Sequence, residues 1–174
     1  MNLIGVPVPP GFTITTEACE QYYKMGKKKL FKTIKKSVEK NLKQLEKVTG
    51  KTFGKGPNPL LVSVRSGAAQ SMPGMMDTVL NLGLNKETIK AMIDLTQNER
   101  FVYDAYRRFI QMFGDVVMNV PHDAFEEVLE KAKKKKKVQL DTQLTTEDLK
   151  EVIKKFKAIY KKHTKEKFPE DPTE

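Results

Sequence analysis

The residues best suited to chemistry lie in one stretch, SVRSGAAQSMPGMMDT, which covers residues 63–78. Arg65 follows directly after the apolar run 60–64, and Ser66 and Gly67 come next. A guanidinium group is costly to remove from water without a partner, so Arg65 must either pair with a carboxylate of its own fold or face an anionic ligand. Its forked N–H groups suit phosphate oxygens, and the small residues after it would let a ligand approach the backbone. The residues alone leave both alternatives open.

The Met-rich part of this stretch, SMPGMMD at residues 71–77, also has two interpretations. Methionines commonly fill irregular gaps in a core, and they can also line an adaptable slot for a flat ring such as a purine. Asp77 and Thr78 could cap a helix or position a metal-bound water, and capping is the commoner use of such a pair. The sequence therefore favours a helix start at Asp77 and leaves the role of the methionines open.

Elsewhere the candidate groups lack chemical partners. His122 lies at a predicted helix start and His163 on a basic helix end, and neither has a nucleophile or a metal ligand at a useful spacing. Glycine-rich dinucleotide loops and Walker-type phosphate loops are absent from the sequence. Arg107 and Arg108 lie beside an apolar helical stripe, where ion pairs, an interdomain contact or a ligand would each account for them. We predict no metal ligands within this chain.

Composition narrows the class of protein. The chain has 174 residues, a net charge of +10 and one cysteine, Cys19. A lone cysteine cannot form an intramolecular disulfide and favours a reducing, cytoplasmic compartment. We expect no membrane attachment, since no apolar run approaches the roughly 18–20 residues of a membrane helix and a signal-peptide pattern is absent.

The positive charge is concentrated in two lysine-rich blocks. Residues 27–55 hold eleven lysines against two acids, and five consecutive lysines cover 133–137. Neither block carries the interleaved aromatics or arginines of a surface that reads bases or stacks on them. Solvated helix faces therefore explain these lysines better than nucleic-acid binding does.

The first half of the chain mixes predicted strands and helices. FTITT at residues 12–16 alternates and is β-branched, which predicts a short strand. Thr16, followed by acids, predicts the start of a helix that ends near Gly26. From Leu30 the apolar positions share one helical face, with lysines opposite, until the glycines and prolines of residues 50–59. LLVSV at residues 60–64 predicts a short buried strand.

The second half of the chain has helical periodicity throughout. Apolar positions recur at helical spacing over residues 89–96, 102–117, 125–132 and 149–160. Asn98 and Thr145 are plausible caps for the second and fourth of these helices. The tail, residues 168–174, carries acids and prolines, packs nothing obvious and is typical of a linker.

Three segments together carry a family resemblance: GVPVPPGFTITTEAC, NPLLVSVRSGAAQSMPGMMDTVLNLGLN and RFVYDAYRRFIQMFGDVVM. In this order they resemble the N-terminal nucleotide-binding region of the pyruvate, phosphate dikinase family, and the resemblance covers essentially the whole chain. SVRSGA and a PPGF-type segment also occur in the related phosphoenolpyruvate synthases, whereas MPGMMDTVLNLGLN is far more specific to the dikinases. The resemblance implies an α+β, predominantly helical fold. Residues 1–84 would form a partial ATP-grasp-like nucleotide-binding lobe, and residues 85–174 a helical subdomain.

The resemblance also implies an activity for the parent enzyme. In that family ATP passes its β-phosphate to a histidine on a separate domain and its γ-phosphate to inorganic phosphate, which leaves AMP. The phosphohistidine then converts pyruvate to phosphoenolpyruvate. Arg65 is implied to be catalytic and nucleotide-binding, as a contact to the phosphates, and Gly74 and Met76 are implied to line the nucleotide pocket.

Further partners follow from the same resemblance. It implies ATP and Mg²⁺, the remaining nucleotide-binding, phosphohistidine and pyruvate domains, and a homodimeric parent. The family's glycine-rich segment with its phosphate-binding lysine would precede Met1, and its Mg²⁺ carboxylates would follow Glu174. We therefore expect the 174-residue chain to be inactive alone. The alternative is a non-catalytic basic helical module that binds an anionic partner, such as nucleic acid, through residues 27–55.

Overall fold

The computed structural model describes residues 4–67 and 77–172, and the contacts divide the chain into two compact units, residues 1–52 and 53–174. The two units meet after residue 52, whereas the family resemblance implies a boundary at residue 84. The boundary at residue 84 separates a nucleotide-binding lobe from a helical subdomain, and it stays a prediction. Within the described ranges no helix is both long and apolar enough to cross a membrane.

The first unit is built from two consecutive helices, α1 (Thr16–Met25) and α2 (Lys27–Thr49). Gly26 separates them with φ of 79°, and Gly50 ends α2 in the left-handed conformation with φ of 66°. Both angles fall in the region where glycine alone avoids a steric penalty. The helix end at Gly26 and the long lysine-rich helix after it are thereby confirmed. Leu45 is the buried apolar residue of this unit, at 9% exposure.

The strand predicted at residues 12–16 is wrong. These residues form no ladder, and Thr15 rather than Thr16 precedes the first helical residue. β-branched residues favour a pleated strand only when a partner strand pairs with them. The described residues before α1 offer no such partner.

The four strands of the described residues form two separate two-stranded sheets. β1 (Thr52–Phe53) pairs with β2 (Pro59–Leu60), and β3 (Val62–Arg65) pairs antiparallel with β4 (Thr78–Leu82). The single buried strand predicted at residues 60–64 is therefore wrong in two respects. It is divided between β2 and β3, and only its beginning is buried: Leu60 is 6% exposed whereas Val64 is 52% exposed.

Helices make up most of the second unit, and the overall α+β, mostly helical class is confirmed. The four predicted helices are present as α3 (Lys86–Thr96), α4 (Glu99–Met112), α5 (His122–Lys136) and α6 (Thr146–Thr164). A π-helical turn (Phe113–Val117) continues α4, and a 3-10 turn (Asp141–Gln143) precedes α6. The predicted caps are confirmed, since the Asn98 side chain accepts from the Phe101 N–H and the Thr145 side chain accepts from the Asp148 N–H.

One core joins the hairpin of β3 and β4 to the helices. Val79 of β4 is 5% exposed and belongs to the same apolar cluster as Ile110 of α4 and Phe156 of α6. The hairpin is therefore held against a helical base by the inward side of β4.

The C-terminal tail is not the unpacked linker that we predicted. Phe168 is 5% exposed, and its ring centroid lies 5.2 Å from that of Tyr160 and 5.8 Å from that of Phe109. Glu170 accepts a hydrogen bond of 2.7 Å from the Lys157 ammonium. Burial of one aromatic ring outweighs the turn-forming composition around it.

Candidate functional site

Arg65 is the last residue of β3 and lies opposite Thr78 of β4. Its side chain is exposed, and no ion pair of Arg65 is found within residues 4–67 and 77–172. Residues 68–76, which lie outside the described ranges, contain no aspartate or glutamate. Of the two alternatives for this arginine, the structure therefore gives no support to the intramolecular ion pair.

The other arginines of the chain behave differently. Arg107 is 4% exposed and donates to Asp104 at 2.7 Å, and Arg108 lies 3.2 Å from the same carboxylate. Arg100 donates to the backbone carbonyls of Asp141 and Leu144, both at 2.8 Å. These side chains hold the fold together. The cations next to the apolar stripe of α4 are therefore structural.

Two short polar residues close the hairpin next to Arg65. The Ser66 N–H donates to the Asp77 carbonyl, and the Asp77 N–H donates to the Ser66 hydroxyl, both at 2.9 Å. The helix cap predicted at Asp77 is wrong, because Thr78 begins β4 and no helix starts there. Sequence reasoning missed the pairing of Ser66 with Asp77, although small polar residues at both ends of a glycine-containing loop are a usable signal.

A bulge shapes β4 below this closed end. Val62 pairs with Leu82 and Val64 with Val79, so β4 contributes one residue more than β3 between the two pairs. Asn81 lies in this interval with φ of 60°, a left-handed conformation that asparagine tolerates. Bulges bend a strand and redirect its side chains. This one leaves Val79 directed into the core and Leu80 exposed.

Gly74 and Met76 lie outside the described residues, so their predicted place on a pocket wall stays a prediction. Asp77 is an acidic residue at the hairpin end, and its backbone groups bond to Ser66. Within the described ranges no group of three or more His, Cys, Asp or Glu side chains could hold a metal ion. The described residues therefore provide an exposed Arg65 next to the Ser66–Asp77 pair that closes the hairpin.

The remaining candidates have structural surroundings. His122 is exposed and its Nδ1 lies 2.8 Å from the Asp115 carboxylate, at the junction of the π-helical turn and α5. His163 is exposed near the end of α6. Cys19 is an exposed free thiol.

Tyr106 is a buried titratable group that sequence reasoning did not single out. Burial, with a smaller contribution from the negative charge of Glu170, raises the pKa of Tyr106. Its hydroxyl has no hydrogen-bond partner among the described residues, and the Lys157 ammonium lies 5.0 Å from the ring centroid. Tyr106 therefore stays protonated and packs in the core against Lys157. These properties do not fit a general base.

Comparison with known proteins relates the segment that carries the hairpin to a known protein family. Residues 27–110 match a family model described as "Pyruvate phosphate dikinase, AMP/ATP-binding domain". This match includes β3, Arg65 and β4 together with α2 and α3.

Whole-sequence relatives agree with this match. The chain is 51% identical over 173 residues to the pyruvate, phosphate dikinase of Clostridium symbiosum, covering 99% of the chain and 20% of that protein. It is 53% identical over 172 residues to a chloroplastic pyruvate, phosphate dikinase of Mesembryanthemum crystallinum, covering 99% of the chain and 18% of that protein. The chain thus spans about a fifth of the length of the curated relatives it matches.

Proposed function

Because the chain belongs to the pyruvate, phosphate dikinase family, we propose that its β3–β4 hairpin forms one wall of an ATP site and that Arg65 contacts the nucleotide phosphates. The observation that carries this proposal is the exposed Arg65 at the closed end of the hairpin, without an ion pair in the described part of the chain. An arginine whose donors are not used by its own fold can offer its fork to two phosphate oxygens.

The proposed role of Arg65 is electrostatic. Phosphoryl transfer depends on positioned groups that offset the charge of the phosphates, and the protein performs little covalent chemistry of its own. Arg65 would orient the phosphate chain, while Gly74 and Met76 would line the nucleotide pocket. In the whole enzyme this site would serve the conversion of ATP, phosphate and pyruvate to AMP, diphosphate and phosphoenolpyruvate through a phosphohistidine.

The architecture proposed for the site is a partial ATP-grasp-like lobe of residues 1–84, with residues 85–174 as a helical subdomain beside it. Val79 fixes the hairpin of this proposed lobe to the helical core, so the hairpin and the helices pack around the same apolar cluster. Mg²⁺ prefers several oxygen ligands in near-octahedral geometry, and the described residues do not assemble such a carboxylate set. No step of the proposal therefore passes through the metal. We propose a cytoplasmic, homodimeric parent whose other domains supply the remaining groups.

For the isolated chain we propose no turnover and only weak ATP binding, because one arginine cannot replace the several charges that phosphoryl transfer requires. Isothermal titration of the 174-residue chain with MgATP tests this. A dissociation constant in the micromolar range would overturn it.

The role of Arg65 is tested in a full-length enzyme that carries this chain. Arg65→Gln should lower kcat/KM for ATP by about 10²–10³-fold, as loss of one charge-stabilising donor typically does. Arg65→Lys should recover only part of this, since lysine keeps the charge without the fork. Arg108→Gln is the matched control, because Arg108 is 56% exposed and pairs with Asp104 instead. Equal rates for Arg65→Gln and Arg108→Gln would overturn the assignment.

A further inference from the structure

One face of α2 carries six lysines: Lys29, Lys32, Lys36, Lys40, Lys43 and Lys47. Their spacings of three and four residues place them in one stripe along the helix, which we call the lysine stripe. At a rise of about 1.5 Å per residue the stripe extends about 27 Å. All six side chains are exposed, whereas the half-buried or buried residues Ile34, Val38 and Leu45 lie on the opposite side of α2.

The ion pairs of the described residues leave the lysine stripe out. None of the ion pairs found within residues 4–67 and 77–172 involves these six lysines. The acids of α2 are Glu39 and Glu46, and the Glu39 carboxylate lies 3.9 Å from the Lys35 ammonium. The lysine stripe therefore presents a row of six positive charges on one face of the helix.

The lysine-rich end of α5 gives an internal comparison. There Lys133 pairs with Glu130 and Asp141, and Lys136 pairs with Asp148 at 2.9 Å. Lys131 lies 3.1 Å from Glu127. Several lysines of α5 thus pair with local acids, whereas none of the ion pairs found among the described residues involves the lysine stripe, so lysine abundance alone does not explain the stripe.

The arrangement is also unfavourable for α2 itself. Like charges three and four residues apart repel each other on a helix surface. In addition, the first turn of α2 contains lysines and no acid, although the positive end of a helix dipole favours acids there. A face that served only for solvation would gain from mixed charges. A bound polyanion would remove this repulsion.

We infer that the lysine stripe is a docking surface for an acidic polypeptide segment presented by a separate molecule. Carboxylates spaced three to four residues apart on such a segment match the stripe in charge and in repeat. A nucleic acid is a poorer match, because the stripe has no arginine for bidentate contacts and no aromatic ring for stacking.

The experiment uses the 174-residue chain and a fluorescently labelled poly-L-glutamate peptide of defined length, with binding followed by anisotropy at low and moderate salt. The stripe variant replaces Lys36, Lys40, Lys43 and Lys47 by Gln, which preserves helix propensity. The control variant replaces four exposed lysines outside the stripe by Gln: Lys90, Lys154, Lys161 and Lys162. Each variant removes four charges from +10 and so carries +6.

We expect the stripe variant to lose about tenfold or more in affinity and the control variant to change by less than about twofold, with binding weakened by salt in every protein. Equal losses in both variants would overturn the proposal in favour of diffuse charge attraction. Tighter, stripe-dependent binding of a DNA oligonucleotide of matched charge would overturn it in favour of nucleic acid. Hydrogen exchange of the unmodified chain provides an independent measurement, because bound polyglutamate should slow exchange in α2 and leave α4 unchanged.

Discussion

Ser66 and Asp77 are joined by two hydrogen bonds of 2.9 Å, which close the β3–β4 hairpin at the residue next to Arg65. One of these bonds uses backbone groups only, and the other uses the Ser66 hydroxyl as acceptor. The position of Arg65 therefore depends on a serine side chain as well as on the strand ladder. A phosphate-binding arginine gains from such closure, because less conformational freedom remains to be lost on binding.

The first prediction concerns this closure. Ser66→Ala removes the acceptor for the Asp77 N–H, and at an exposed position it should cost about 0.5–1.5 kcal/mol locally. Hydrogen exchange at Asp77 and Thr78 should accelerate, while the global melting temperature should change little. Ser63→Ala is the matched control, since Ser63 is exposed on β3, the strand that Ser66 follows, and no side-chain hydrogen bond is found for it in the described structure. Similar exchange rates in both variants would contradict the proposed role of Ser66.

Local signals in the sequence were sufficient for most helices. Asn98 and Thr145 cap their helices as predicted, because a cap depends on hydrogen bonds to residues two or three positions along. The lysine-rich helix and its end at a glycine are likewise set by neighbouring residues. These elements can be predicted from neighbouring residues without any tertiary contact.

Features that depend on residues distant in sequence cannot be predicted from local patterns. The pairing of Arg65 with Thr78 joins residues on either side of a loop, and β4 is too short and irregular for its alternation to stand out. Burial of Phe168 depends on Tyr160 of α6 and on Phe109 of α4, and Phe109 is far away in sequence. For the candidate site, Arg65 and the family could be identified from the sequence, whereas the Ser66–Asp77 closure required the structure.

The second prediction concerns the contact of Gly114 with Phe125. A Cβ atom at Gly114 would lie 2.7 Å from the Phe125 ring, and Phe125 is fully buried with its centroid 4.9 Å from that of Phe156. Since a packed ring cannot yield without disturbing its neighbours, Gly114→Ala should destabilise the fold by about 1–3 kcal/mol. Chemical denaturation followed by circular dichroism measures this.

Gly11→Ala provides the control for this substitution. A Cβ at Gly11 meets nothing within 4 Å, and its backbone has no left-handed conformation. Its effect should stay within about 0.5 kcal/mol. Equal stability of both variants would show that the π-helical turn repacks around the added methyl group.

The third prediction compares two helix caps. The Asn85 side chain accepts from the N–H groups of Glu87 and Thr88, and its Nδ2 also donates to the Gly54 carbonyl at 2.8 Å. Asn85 is 8% exposed, whereas the Asn98 cap is exposed and accepts from Phe101 alone. Asn98→Ala should cost about 1 kcal/mol, as loss of an ordinary cap does. Asn85→Ala should cost about 1–3 kcal/mol more, because it also leaves a buried carbonyl unsatisfied.

Urea denaturation of the two variants and the unmodified chain checks this order. An accompanying gain in amide exchange around Gly54 is expected for Asn85→Ala only, because the Asn85 side chain, at the start of α3, donates to the Gly54 carbonyl. If both caps cost the same, the long-range bond contributes nothing to stability.

The fourth prediction is a pH dependence at the start of α6. Asp148 accepts from the Thr145 N–H at 3.1 Å and lies 2.9 Å from the Lys136 ammonium. Burial acts to raise the pKa of Asp148, but hydrogen bonds from Lys136 and Thr145 outweigh it and lower the pKa below its ordinary value. A carboxyl group with a lowered pKa stabilises the fold above its unfolded pKa of about 3.9 and loses this contribution as the pH falls further. Asp148→Asn should therefore reduce stability at pH 7, and the deficit should shrink as the pH falls through about 4 and below.

Denaturation at a series of pH values measures the deficit, with Asp94→Asn as control because no ion pair of Asp94 is found in the described structure. A deficit that stays constant from neutral to acidic pH would show that the carboxylate charge plays no part in this cap.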